Sequence, residues 1–305
     1  MIHKRRLAVE TLVAAVALLT GALALVFSAP SAAPAATQSR APVRYHDPTF
    51  ANVEVQHDVS YGSAVDTAGD DVPLGLDLYQ PTGDVATQRP VLILAHGGGF
   101  AGGDKDTDSV VTLARAFAQR GYVTASINYR VDPRVSLACF RGDITSRCRN
   151  AALEAQHDAQ AAVRWIRANS AALRVDPGRI AVGGLSAGAV AALGVAYNAG
   201  DAGSSGNAGP ASDVQAAISI SGFALDDSWI GAGDASVLLL HGTADPIVPY
   251  AEATATRDAA DAAGLATNLV AVDGGGHGLV GDDAFVIRTT AAFLARQLRL
   301  PKATP

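Results

Sequence analysis

Residues 180–188 read Ile-Ala-Val-Gly-Gly-Leu-Ser-Ala-Gly, and the fold assignment starts from this stretch. The apolar run at its beginning predicts a buried strand, and the alanine-rich residues 187–198 predict a helix. Ser186 therefore lies on a sharp turn between a strand and a helix. Gly184 and Gly188 leave room for that turn because they have no side chain. A serine in such a turn exposes its Oγ above the edge of a sheet, so we interpret Ser186 as a nucleophile.

Short apolar, β-rich runs alternate with longer helical patterns on both sides of Ser186. This alternation is typical of an α/β protein with a mostly parallel sheet, and it predicts one domain over residues 50–300. We expect a flexible segment over 37–49 and a frayed tail over 301–305. The predicted strands are 53–61, 74–79, 91–95, 123–129, 180–184, 216–221, 237–240 and 268–272. The predicted helices are 108–120, 151–170, 187–198, 250–263 and 283–298.

Two segments carry predictions about solvent exposure. The helix over 151–170 has apolar residues at helical spacing on one face and Glu154, His157 and Arg164 on the other, which predicts an exposed polar face. Residues 200–209 are rich in glycine and serine and predict an exposed loop.

The first 36 residues have the order of a secretory signal peptide: a basic start, an apolar run over 12–27 and a small-residue end at 33–36. The apolar run is shorter than the roughly 20 residues of a membrane helix, so a stable membrane anchor is the weaker interpretation. The Arg5-Arg6 pair leaves a twin-arginine signal open. We predict cleavage after Ala35 or Ala36 and a secreted or extracytoplasmic protein.

The composition excludes several classes of function. With 49% hydrophobic and 17% charged residues, the chain can bury a large core, which excludes a disordered protein. No basic run occurs beyond the extreme N-terminus, so nucleic acid is not an expected partner.

Cys139 and Cys148 are the 2 cysteines of the chain. In an exported protein they predict a disulfide, with two free thiols as the alternative. They have no neighbouring histidine to complete a zinc shell, so no metal is expected.

A second glycine-rich motif, His96-Gly97-Gly98-Gly99-Phe100, directly follows the predicted strand over 91–95. Three consecutive glycines free the backbone to turn several N–H groups toward one point, which is the geometry of an oxyanion hole. A flexible loop is the alternative, but a simple turn needs only one or two glycines. The motif therefore predicts donors for a negative charge that develops during a reaction.

A nucleophilic serine needs a base, and the base needs a carboxylate to orient it. His277 stands in a glycine-rich loop after the last predicted strand, so we predict that it is the base. Asp245 follows the strand over 237–240 and is predicted to share a sheet edge with Ser186 and His277. The competing carboxylates, which also follow strands, are Asp226, Asp227 and Asp273. We interpret His241 as structural.

Taken together, these motifs resemble those of the α/β-hydrolase fold family, in particular its HGGG-carrying esterase and lipase branch. The chain is similar to hormone-sensitive-lipase-like and feruloyl-esterase-like carboxylesterases over about residues 50–300, including segments 76–81, 126–130 and 158–165. The resemblance implies a three-layer fold around a mostly parallel sheet. It also implies oxyanion donors at the backbone N–H groups of Gly98, Gly99 and Ala187, with His96 supporting their loop.

The sequence departs from many relatives in the link over 222–236, which leaves little or no room for a helical cap. The longest unassigned stretch that could overhang the site is 131–150. Phe100, Phe140 and Trp229 are candidates for apolar contact with a substrate and equally for core positions.

The resemblance implies a secreted serine carboxylic-ester hydrolase that acts through an acyl-enzyme without a metal or organic cofactor. The alternatives are a prolyl-oligopeptidase-like serine peptidase, an acyltransferase, and a binding protein on a hydrolase scaffold. Export and an open site favour an extracellular, polymer-linked ester as substrate. The sequence leaves the oligomeric state open.

Overall fold

The computed structural model describes residues 41–141 and 144–301, in which eight strands form one sheet of order β1-β2-β4-β3-β5-β6-β7-β8. The antiparallel pairs are β1 with β2 and β2 with β4, and every other pair is parallel. The strands are β1 Val53–Val65, β2 Asp71–Pro81, β3 Arg89–Ala95, β4 Val123–Ile127, β5 Val175–Leu185, β6 Ala216–Ile220, β7 Ser236–Gly242 and β8 Thr267–Val272. The predicted mostly parallel sheet is confirmed.

Helices cover both faces of the sheet and give the predicted three-layer fold. They are α1 Asp108–Ala118, α2 Ser146–Ala168, α3 Ser170–Leu173, α4 Ala187–Tyr197, α5 Tyr250–Ala262 and α6 Asp283–Gln297. Alternate residues of β3 point to opposite faces, as the pleat requires. Ile93 packs in the core under α2 and α4, whereas Leu92 packs in the core under α1 and α6. Because β3, β5, β6 and β7 are parallel, their carboxyl ends meet at one edge of the sheet.

All eight predicted strands and all five predicted helices are present, with boundaries shifted by a few residues. The largest shifts are at the start of β5, which begins at Val175 rather than at 180, and at the start of α2, which begins at Ser146 rather than at 151. Thr145 caps this helix by accepting the N–H of Cys148, a signal that the apolar periodicity does not contain. The sequence analysis also missed the short α3 and three 3-10 helices, at Leu137–Arg141, Asp227–Trp229 and His277–Leu279.

The N-terminal boundary needs a correction, because residues 41–49 are not the flexible segment that was predicted. Tyr45 is buried and packs edge-on against Tyr122, with ring centroids 5.6 Å apart. Arg44 makes a bidentate hydrogen bond with Asp84, at 3.0 and 2.6 Å. The compact unit therefore begins at Ala41. The predicted signal peptide over 1–36 and most of the predicted tail lie outside the described residues.

Residues 200–209 form a largely exposed loop, as predicted, but the exposure predicted for the polar face of α2 is wrong at Arg164. Arg164 is 4% exposed, because its guanidinium donates to the carbonyl groups of Ala202, Ser205 and Gly206. On the same face, the Nε2 atom of His157 lies 3.2 Å from Oδ2 of Asp201. The 200–209 segment thus folds over α2, and its backbone supplies acceptors that bury the arginine.

The link between β6 and β7 contains only the single-turn 3-10 helix Asp227–Trp229, in agreement with the predicted lack of a cap. Across residues 41–141 and 144–301, no helix combines the length and apolar character needed to cross a membrane.

Candidate functional site

Ser186 forms a strained turn between β5 and α4, with φ 52° and ψ −118°. A non-glycine residue at positive φ is uncommon and needs support from its surroundings. Ser186 has that support, because its backbone N–H donates to the carbonyl of Ile220 at 2.9 Å. A Cβ at Gly184 would collide with the backbone of Gly188, and a Cβ at Gly188 would collide with the backbone of Ala95. Both glycines are therefore needed for the turn to exist.

Asp245 and His277 form a hydrogen-bonded pair on the loops that follow β7 and β8. The Nδ1 of His277 lies 2.8 Å from Oδ2 and 3.1 Å from Oδ1 of Asp245. The Oδ1 atom also accepts the N–H groups of Ile247 and Val248, at 2.9 and 3.0 Å. Burial alone would raise the pKa of Asp245, but the hydrogen bonds from His277 and from these two N–H groups outweigh it and lower the pKa. The carboxylate is therefore ionised at neutral pH.

One cavity of about 800 Å³ joins Ser186, His277 and the glycine-rich loop. Ser186 and His277 both line it, but no hydrogen bond joins their side chains among the residues that the structure describes. Such bonds are often long or misaligned without substrate and tighten when it binds. The α4 helix begins at Ala187, so its N-terminus adds a partial positive charge next to Ser186.

The competing carboxylates lie elsewhere. Asp226 accepts the N–H and Oγ–H of Ser228, and Asp273 accepts the hydroxyl of Thr243 at 3.3 Å. Asp227 lies in the 3-10 helix after β6. Of the four aspartates considered from the sequence, the structure places Asp245 against His277.

The glycine motif turns back on itself at the cavity wall. Gly98 and Gly99 line the cavity and adopt φ values of 119° and 65°, a region that strongly favours glycine. Within the described ranges, the hydrogen bonds use none of the backbone N–H groups of Gly98, Gly99 and Ala187. These N–H groups are therefore available to a bound oxygen.

His96 supports this loop from below. It is 1% exposed and stacks on Tyr129, with ring centroids 4.2 Å apart. Its Nδ1 lies 2.6 Å from the carbonyl of Gly97, and the hydroxyl of Tyr129 donates to the carbonyl of His96 at 2.8 Å. Burial lowers the pKa of His96, so the ring is neutral and donates through Nδ1.

Sequence reasoning missed Ser221, which is fully buried at the end of β6 with φ 55°. Its Oγ accepts the backbone N–H of Gly278 at 2.9 Å, next to His277. Ser221 thereby fixes the loop that carries the histidine. No motif surrounds Ser221, and only its strand-end position could have drawn attention to it.

The apolar wall of the cavity differs from the predicted one. Phe100 and Phe140 are buried and stack on each other, with centroids 5.8 Å apart, and Trp229 packs against the core, so none of the three lines the cavity. The apolar lining of the cavity is instead aliphatic and includes Leu137, Leu185, Ile220, Ile247 and Val280. Leu137 lies in the 131–150 stretch that was expected to overhang the site.

The structure does not contain the predicted disulfide. Cys139 and Cys148 are both buried as free thiols. Burial and a hydrogen bond with Cys139 raise the pKa of the Cys148 thiol, so the two side chains are neighbours. Cys139 lies in the 3-10 helix that carries Leu137 to the cavity. No group of three or more His, Cys, Asp or Glu side chains in the described part of the chain is arranged to hold a metal ion.

Two families have sequence profiles that match the chain in succession. The BD-FAE family matches residues 76–224, and the family described as TAP-like protein matches residues 224–303. The first match contains the glycine motif and Ser186, and the second contains Asp245 and His277.

Similar curated proteins include esterases. Esterase LipI of Mycobacterium tuberculosis is 35% identical over 132 residues, covering 43% of this chain and 36% of LipI. Phenmedipham hydrolase of Pseudarthrobacter oxydans is 39% identical over 135 residues, covering 43% of this chain and 25% of that protein. The aligned part thus spans about a quarter to a third of the length of these relatives.

The solved structures that resemble this chain extend the likeness to most of the fold. Esterase 2 of Thermogutta terrifontis, phosphorylated by paraoxon, is 24% identical with a TM-score of 0.65, covering 86% of this chain and 100% of that one. A truncated carbohydrate esterase from gut microbiota is 20% identical with a TM-score of 0.64, covering 83% of this chain and 98% of that one. At these identities, the likeness establishes the shared fold.

Proposed function

We propose that this chain, which has the α/β-hydrolase fold, is a serine carboxylic-ester hydrolase that acts through an acyl-enzyme. The observation that carries the proposal is the shared cavity. His277, the strained Ser186 and the unpaired N–H groups of the glycine loop meet there, and the buried Asp245 holds His277 from behind. The esterase names of several relatives support the same reaction class.

In the first half of the proposed reaction, Ser186 Oγ attacks the ester carbonyl carbon. His277 Nε2 accepts the serine proton, while Asp245 holds Nδ1–H and stabilises the imidazolium that forms. The carbonyl oxygen becomes an oxyanion, and the N–H groups of Gly98, Gly99 and Ala187 donate to it. The N-terminus of α4 favours the same negative charge.

In the second half, His277 returns the proton to the leaving alcohol, and the acyl group stays on Ser186. A water molecule then loses a proton to His277 and attacks the acyl carbon, which releases the acid and restores the serine. An acyltransferase would use an alcohol instead of water with the same residues.

A fluorophosphonate probe tests this proposal directly. We expect stoichiometric labelling of the protein, with the modified peptide containing Ser186, because the probe reacts only with a serine that its neighbours activate. Heat-unfolded protein is the control and should not react. Absence of labelling at Ser186 in the folded protein would refute the catalytic role and favour a binding protein.

A substrate panel then separates the reaction classes. We expect turnover of short-chain nitrophenyl esters and none of dipeptide amides, whereas the reverse would indicate a peptidase. Product analysis with added alcohols distinguishes hydrolysis from acyl transfer.

We propose an extracellular, polymer-linked ester as the natural substrate class. The site lacks a cap between β6 and β7, and two aliphatic side chains lie exposed at its mouth. Val280 is 91% exposed and Leu137 is 55% exposed. A polymer can approach such an open rim, and an apolar acyl group could pack against it. In the same panel, activity on small esters with none on any acylated polymer would contradict this class.

Export is proposed on the signal-like order of residues 1–36, and export would expose the cysteines to an oxidising compartment. There, we propose that Cys139 and Cys148 form a disulfide. Each thiol loses one proton and one electron to a thiol–disulfide oxidoreductase of that compartment, and a single S–S bond forms. The two buried thiols are already neighbours, so the bond would close a short loop beside the cavity.

We expect protein recovered from the exporting compartment to show a linked Cys139–Cys148 peptide by mass spectrometry without reductant. Reduction should lower the free energy of unfolding by about 2.5 kcal/mol, the loop-entropy value for a ring of about ten residues. The double variant Cys139→Ser/Cys148→Ser is the control and should not respond to reductant. Two alkylatable thiols in the exported protein would contradict the disulfide.

A further inference from the structure

Two histidines approach Asp245, not one. In addition to His277, which contacts Oδ2 of Asp245, His241 places its Nε2 3.3 Å from that Oδ2 atom. The side chains of Asp245 and His241 are buried, at 0% and 1% exposure. The sequence analysis treated His241 as structural, and the proposed reaction does not use it.

Hydrogen bonding fixes the tautomer of His241. Its Nε2 lies 3.0 Å from the carbonyl oxygen of Val248, which can only accept, so Nε2 carries the proton. Burial lowers the pKa of His241, which keeps the ring neutral with a single N–H. The Nε2–H of His241 is directed to the Val248 carbonyl. The partial positive charge of this N–H group also lies close to Asp245 Oδ2.

His241 therefore ties two points of one loop to the sheet. His241 belongs to β7, whereas Asp245 and Val248 belong to the loop that follows it. The two oxygens of Asp245 have different support. Oδ1 accepts two backbone N–H groups and also lies 3.1 Å from His277 Nδ1, whereas among the described residues the polar neighbours of Oδ2 are the two histidines. Without His241, Oδ2 would depend on His277 alone, so one of the contacts that restrain the torsion about the Asp245 Cβ–Cγ bond would be lost.

We propose that His241 is a positioning residue that holds the Asp245 carboxylate and its loop in the orientation required to align His277. This inference rests on the proposed function, in which His277 acts as the base. His241 touches neither the cavity nor the reacting atoms, so its contribution is made through Asp245. The same mechanism orients metal-bound histidines through the groups that hydrogen bond behind them.

The test compares His241→Gln with His241→Met in the full chain. Glutamine can place an amide N–H where the Nε2–H of histidine lies, whereas methionine fills a similar volume and donates nothing. We expect His241→Met to lower kcat on a nitrophenyl ester about 10- to 100-fold, the loss typical when an orienting group is removed. KM should change little because no substrate contact is lost. His241→Gln should recover most of the lost kcat.

Several outcomes would overturn the inference. Wild-type kcat in His241→Met would do so, and so would an equal loss in both variants, because shape rather than the N–H would then be responsible. Thermal unfolding of both variants gives the folded fraction. A loss in His241→Met that disappears after correction for that fraction would likewise reject a positioning role.

A readout independent of turnover separates this inference from the proposed function. The Nδ1 proton that His277 shares with Asp245 should give a low-field ¹H NMR resonance. We expect it in the wild type and in His241→Gln, and we expect it broadened or lost in His241→Met. Its persistence in His241→Met would overturn the positioning role. A protein that hydrolyses no ester would defeat the proposed function, while this resonance would still decide the role of His241.

Discussion

Replacing Ser186 with alanine is expected to lower kcat for ester hydrolysis by about 10⁶-fold, the loss seen when a serine hydrolase loses its nucleophile. The acyl-enzyme cannot form without Oγ, so only water activated by His277 remains. The N–H groups of Gly98, Gly99 and Ala187 stay in place. They should keep a residual rate about 10³ to 10⁴ above that in water. Steady-state kinetics on a nitrophenyl ester, with the variant shown not to react with fluorophosphonate, measure this loss.

The same position offers a control that separates chemistry from folding. Ser186 adopts φ 52° because the turn from β5 to α4 imposes it, and alanine would keep that strain. Glycine adopts positive φ readily, and a non-glycine residue there costs about 1–2 kcal/mol. We therefore expect Ser186→Gly to be as inactive as Ser186→Ala but to unfold at a Tm about 2–4 °C higher, the shift that about 1 kcal/mol gives in a domain of this size.

Two results would contradict these expectations. A loss of kcat below about tenfold in Ser186→Ala would place the nucleophile elsewhere. A Ser186→Gly variant less stable than Ser186→Ala would show that the backbone at 186 is not strained in solution.

The strands and helices were predictable because their signals are local. The run Val91–Ala95 is apolar throughout since both faces of β3 are covered, and such runs mark buried parallel strands. Ser186 and the three glycines of 97–99 were predictable for a related reason. A sharp turn and a loop that gathers N–H groups both require glycine at particular positions, and that requirement is visible in the sequence.

The features that the sequence did not reveal depend on contacts between distant residues. Arg164 looked exposed because its acceptors are backbone carbonyls about 40 positions away, which carry no sequence signal. Tyr45 looked flexible because its partner Tyr122 is distant in sequence, in the connection between α1 and β4. Ser221 and His241 act through groups that only the folded sheet brings near, namely Gly278 and Asp245. Periodicity cannot report such pairs, since it describes one element at a time.

The Asp245→Asn substitution is expected to lower kcat by about 10⁴-fold with the fold intact, because the two side chains have nearly the same shape. An aspartate accepts the Nδ1–H of His277, whereas the amide of asparagine can present an N–H to Nδ1 and favour the tautomer with the proton on Nε2. In that tautomer Nε2 cannot take the serine proton, and a substitution of this kind in a known triad has an effect of this size. Initial rates on a nitrophenyl ester at neutral pH measure the loss.

Asp273→Asn is the matched control for this substitution. Asp273 follows the neighbouring strand β8 and was a competitor for the same role, but its carboxylate faces the hydroxyl of Thr243 rather than His277. We expect Asp273→Asn to retain kcat, since asparagine can still accept from that hydroxyl. If Asp273→Asn lost activity and Asp245→Asn kept it, the acid would be assigned to the wrong loop. If both lost it equally, the cause would be damage to the β7–β8 edge and not the hydrogen bond to His277.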